Sequence, residues 1–132
     1  MIEIGSGANY RIAVDTMKNR LYFSFFGDLM RAEDGAHLLK HTDEALRKLK
    51  PGFTMLGDMV GVKMLGLPDV ALQVQTILVE AGVSRIAAVW SRESFSKLVV
   101  ESSAQKVGAA YTDKRKSFTD VAEAEAWLDA PR

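Results

Sequence analysis

The sequence predicts an α/β fold: a small mixed, mostly parallel sheet of four to five strands with an N-terminal β-hairpin, flanked by about four helices. Three observations predict it. Two neighbouring segments near the start alternate apolar and polar residues with a period of two. Beyond them, apolar stripes at helical spacing take turns with short apolar runs. Proline and glycine stand at the junctions. No repeat, low-complexity tract or linker divides the chain, so residues 1–132 are expected to form one domain.

In "NYRIAVD", Tyr10, Ile12 and Val14 fall on one side and Arg11, Ala13 and Asp15 on the other, the pattern of a half-buried strand. "RLYFSFFG" repeats it with Leu21, Phe23 and Phe25. The polar "TMKN" between them makes a turn, with Asn19 able to take a left-handed conformation, so the two strands read as an antiparallel hairpin. Leu38, Leu39, Thr42, Ala45, Leu46 and Leu49 then form the stripe of a first helix, stopped before Pro51-Gly52. "FTMLGD" is expected to be a strand that ends at Gly57-Asp58 and gives way to a loop.

A second helix, "PDVALQVQTILVEAG", has Pro68 in its first turn and Gly82 as its stop, with Val70, Val74, Ile77, Leu78 and Ala81 as its core face. The almost wholly apolar "RIAAVW" is expected to be a strand covered on both faces. A third helix is expected from about Ser91 to near Gly108, with Phe95, Leu98 and Val99 inward. "KSFTD" holds an edge strand ending at Phe118. Asp120 and Glu123 have capping-box spacing for a last helix through Trp127 and Leu128.

Composition narrows the function classes. The chain has no cysteine, which excludes disulfides, thiol nucleophiles, thiolate zinc sites and iron–sulfur clusters. Seventeen Lys and Arg balance seventeen Asp and Glu, without the basic surplus a nucleic-acid binder uses against phosphates. "LRKLK" and "DKRK" are too short, and too poor in aromatics, to supply it. No secretory signal opens the chain and no apolar run is long enough to span a bilayer. The expectation is a soluble, cytoplasmic domain without cofactor or metal.

The stretch "FTMLGDMVGVKMLGLPDVALQ" carries the main candidate site. Asp58, Met59, Val60, Gly61 and Lys63 follow a strand at its carboxyl end, where open α/β sheets bind ligands. The methionines Met55, Met59 and Met64 suit an adaptable apolar surface or a core filling. Both readings stay open: a binding cleft, or a pair of glycine hinges at Gly57 and Gly61 with apolar side chains folded over the helix. On the second helix, Leu72, Val79 and Val83 lie opposite the core face, as a partner contact or a deeply buried helix would have them.

Other constellations are weaker. His37 and His41 stand one turn apart without an HExxH pattern, and read as solvated helix residues rather than metal ligands. "SRESFSKLVVESS" has no nucleophile elbow. "GSGANY" lacks the third glycine and preceding strand of a dinucleotide fingerprint, and reads as a flexible lead-in. No nucleophile–base pair or paired-carboxylate site emerges, leaving Asp28 and Asp58 as the only acids placed for catalysis.

Three stretches, "NRLYFSFFGDL", "EAGVSRIAAVW" and "KSFTDVAEAEAWL", together with the element order, resemble the STAS-type domains, the anti-sigma-factor-antagonist fold. The likeness is greatest to stand-alone, uncharacterised bacterial members. In regulatory members the junction after the third strand carries an Asp-Ser-Ser-Gly type motif, in which a kinase partner phosphorylates a serine. Here the corresponding "DMVG", Asp58 to Gly61, keeps the acid and the glycine but has Met59 and Val60 in place of both hydroxyls. Without a hydroxyl there is no phosphate switch at this position. The resemblance implies a non-catalytic module that binds a protein partner, or a second copy of itself, through the second helix and the loop before it. The alternative is a carrier or sensor of a small apolar or anionic, lipid-like ligand in the same cleft.

Overall fold

The computed structural model describes residues 1–27, 32–62, 68–91 and 96–131. Six strands and five helices are present among them: β1 (Ile2–Ser6), β2 (Tyr10–Asp15), β3 (Arg20–Gly27), α1 (Ala32–Leu46), β4 (Thr54–Val62), α2 (Pro68–Glu80), β5 (Arg85–Val89), α3 (Ser96–Val107), α4 (Ala109–Thr112), β6 (Arg115–Phe118) and α5 (Val121–Asp129). The strands lie in the sheet in chain order, β1 to β6. The β1–β2 and β2–β3 pairs are antiparallel, and the three pairs from β3 to β6 are parallel. The mixed, mostly parallel sheet is therefore as expected, with one strand more than the upper expectation.

The additional strand is β1. "IEIGS" pairs with β2, Ile2 opposite Val14 and Ser6 opposite Arg11, where a flexible lead-in is expected. Gly5 is part of the reason. A Cβ there would lie 2.5 Å from the His41 ring, so only glycine lets the strand pass beneath α1. His41 is accordingly half-buried rather than solvated, and its Nδ1 meets the Tyr10 hydroxyl at 2.7 Å. The hairpin turn is as expected, with Asn19 at φ 54°.

Alternation within the strands splits the core in two. Tyr10, Ile12, Val14, Leu21, Phe23, Met55, Ile86 and Ala88 point to one face and join Leu38 and Ala45 of α1 with Val74 and Leu78 of α2. The opposite face carries a smaller cluster of Leu56, Ala87 and Val89 beneath Ala124 and Leu128 of α5. β5 feeds both clusters from between β4 and β6, with no residue of Ile86–Val89 more than 5% exposed. This two-sided burial is what its uninterrupted apolar run predicts.

Charge as well as apolar area holds α5 down. Arg20, 2% exposed, donates from Nε to Thr54 Oγ1 at 2.8 Å, from Nη1 to Glu125, and from Nη2 to Asp129 at 2.8 Å. The Tyr22 hydroxyl donates to Glu125 at 2.7 Å. Burial, then the bond to Glu125, pushes the Tyr22 phenol up to about 12. The Arg20 hydrogen bond holds the Asp129 carboxyl below its ordinary range. At the helix end, Arg85 donates to the carbonyls of Trp127 and Ala130 at 2.8 and 3.0 Å.

Candidate functional site

β4 does not stop at Gly57-Asp58 as the sequence suggests. It runs on to Val62 through a bulge: Asp58 pairs with Ser24 and Gly61 with Phe26, so β4 spends three residue steps where β3 spends two. Asp58 shapes the bulge by accepting the Val60 backbone N–H on Oδ1 at 3.1 Å, an Asx turn. Gly61 completes it. Its Cβ would stand 3.2 Å from the Phe26 Cβ and 3.6 Å from the Phe25 carbonyl oxygen, a separation that favours a bare backbone.

The consequence is a set of side chains aimed in different directions. Met59 is 7% exposed and belongs to the larger core. Val60, turned out by the bulge, is 47% exposed. Asp58 is half-buried and shares its face of the sheet with Ser24 and Val89, the side covered by α5. Inside, a Cβ on Gly57 would meet the methyl groups of Met59 and Met55 at 3.2 and 3.5 Å, so these flexible side chains fill the space a larger residue would occupy. Lys63, with Met64 and Leu65, lies outside the described residues, as does Asp28.

The α2 candidates sit on the face of the sheet that Met59 fills, opposite Asp58. That helix packs against α1, α3 and α4, over the larger core. Leu72 is half-buried, and Val79 is half-buried against the same core. Val83 is 1% exposed, so for this residue burial, the second of the two readings, holds: the turn after α2 folds inward, with Val83 N–H donating to the Leu78 carbonyl at 3.1 Å. Asp58 to Gly61 thus form one unit, of which Met59 shares the larger core with Val79 while Asp58 faces the other side of the sheet.

Two polar features have no counterpart in the sequence analysis. One is the Arg20 network under α5. The other is a cleft of about 460 Å³ at the carboxyl ends of β5 and β6, lined by Trp90, Ser91, Lys116, Ser117, Phe118, Thr119 and Glu123. The Lys116 ammonium lies 5.4 Å from the centre of the Phe118 ring. Asp120 caps α5 beside the cleft, accepting the Ala122 N–H at 2.9 Å. The sequence signal for this cleft is the charged–aromatic alternation Lys116, Phe118 just ahead of a cap, legible only once β6 is known to be a margin of the sheet.

Among the described residues no group of three His, Cys, Asp or Glu side chains is placed to hold a metal ion. No helix among them is long and apolar enough to cross a membrane.

No family model matches the chain, and no curated protein matches it. A solved structure does: an uncharacterized protein of the DUF3478 family with a SpoIIAA-like fold, from Shewanella loihica PV-4. The two superpose with a TM-score of 0.66 at 19% identity, covering 94% of this chain and 99% of that one. The chain therefore has the SpoIIAA-like, STAS-type fold that the resemblance in its sequence implies.

Proposed function

We propose that the chain is a non-catalytic regulatory or interaction module that binds a protein partner through the carboxyl rim of β4, the segment after it and α2. The observation that carries this reading is the bulge. A strand end that could close simply is instead held open by the Asp58 side chain, burying Met59 and presenting Val60 to solvent. Bulges recur where a strand must re-aim a side chain, and an apolar residue raised at a strand's carboxyl end suits a contact better than a core. Met59 and Val60, standing where regulatory STAS domains carry hydroxyls, remove phosphorylation at this position as the means of control.

The test is light scattering and native mass spectrometry on the wild type and on Val60→Glu and Leu72→Asp, alone and with captured partners. Loss of a complex in either variant, with an unchanged thermal transition, supports the reading. Identical complexes in all three proteins refute it. A co-purifying lipid-like ligand, with no protein complex, would transfer the site to the carrier reading.

A further inference from the structure

The sheet has two margins, β1 and β6, and they differ. β1 carries a register irregularity between Glu3 and Gly5 that interrupts pairing along its length. β6 pairs regularly with β5 over all four residues. β6 is short and carries Lys116, devices that guard a margin against copies of the same strand, but it has no bulge, so its outward groups stay in register for a strand of complementary charge. Its accessible groups can be read from the ladder. The Ile86 N–H donates to the Lys114 carbonyl and the Trp90 N–H to the Phe118 carbonyl. Strand alternation then turns the N–H and C=O of Ser117 away from β5. Ser117 is exposed, and among the described residues these two groups have no hydrogen-bond partner.

The cleft reaches this margin, since Ser117 is part of its wall. On the face Ser117 does not share, Lys116 and Phe118 stand two residues apart, a cation followed by an aromatic ring, with Lys116 exposed. We propose that the β6 margin is a docking edge for an extended peptide segment, which adds as a seventh strand and carries an acidic side chain two positions from an apolar one. Main-chain bonds to Ser117 supply the anchorage, and side-chain pairs supply the selection. The acid meets Lys116 and the apolar residue meets Phe118, because residues opposite one another on a face interact across neighbouring strands. Glu123 at the head of α5 disfavours a second acid there. This edge is separate from the β4 rim, so Val60→Glu leaves it intact, and failure of one reading does not carry the other with it.

The experiment is fluorescence polarisation with short labelled peptides, one set centred on Glu-Xaa-Val and one on Lys-Xaa-Val. Wild type is expected to prefer the acidic set. Ser117→Pro removes the outward N–H without touching the ladder bonds, since proline is tolerated where the missing donor faces solvent. It should weaken binding at least about tenfold, while Ser117→Val should not. Lys116→Glu should reverse the charge preference, a result that does not depend on the proline variant folding. The proposal is overturned if neither set binds, if Ser117→Pro with an unchanged melt binds as wild type, or if Lys116→Glu keeps the original preference. It is equally overturned if light scattering shows a dimer that Ser117→Pro dissolves, since the margin would then be filled by a second copy.

Discussion

Replacing Arg20 with methionine separates the apolar from the ionic anchoring of α5. Methionine keeps an unbranched stem of similar size, so the substitution leaves little void, and what it removes is the guanidinium. The Thr54 bond is buried, and leaving that hydroxyl without its donor costs about 1 kcal/mol. The carboxylates of Glu125 and Asp129 have side chains 27% and 49% exposed, so water restores part of what they lose. Each contributes about 0.5–1 kcal/mol, well short of the roughly 3–5 kcal/mol for breaking a fully buried pair. The expected loss is about 2–3 kcal/mol, or a thermal midpoint lower by about 8–12 °C in a domain of this size. Tryptophan fluorescence, to which buried Trp90 and Trp127 both contribute, and circular dichroism, followed through urea unfolding, measure it. A double-mutant cycle with Glu125→Gln should return a coupling of about 1 kcal/mol. A midpoint shift below about 3 °C, or no coupling, would refute the claim that Arg20 holds the helix.

The same network fixes the pH response. Asp129 has its pKa lowered on folding, so its contribution is present above its ordinary value near 3.8 and disappears as pH falls through the lowered one. Tyr22 is raised from 10.0 to about 12, so its contribution is complete below pH 10 and is lost as pH climbs towards 12. Urea midpoints should fall in both directions; Tyr22→Phe should flatten the alkaline limb and Arg20→Met the acid one. At the bulge, Gly61→Val pushes a branched side chain against Phe26 and should cost about 1–3 kcal/mol in urea unfolding. Tolerance of that change without loss would mean the bulge is not closely fitted.

The parts of the fold legible in the sequence are those with a strong period. The hairpin alternates, α1 and α2 carry stripes, and β5 is apolar throughout because clusters on both faces claim it. β1 was hidden by Gly5-Ser6-Gly7, a composition that reads as a loop until β2 offers an open edge and His41 demands a bare backbone. The end of β4 is not legible because Gly57-Asp58 looks like a strand stop, whereas the Asp58 side chain builds a bulge that lets pairing resume at Gly61. For Val83 the choice between burial and a partner contact is not legible from helical periodicity, which ends at Gly82, where the chain turns inward. The Arg20–Glu125 bond joins residues 105 apart, and no local pattern announces such a pair. The candidate site was legible as a place, Asp58 to Gly61, but its division between rim, core and opposite face depends on one inserted residue.

Site-specific photo-crosslinking from position 60 tests the account at its centre. A photoreactive amino acid in place of Val60, activated in cells, should yield one discrete crosslinked protein species. The same probe at exposed Lys48, in the turn after α1, should yield none. Equal crosslinking from both positions, or none from position 60, would contradict a partner bound at the β4 rim.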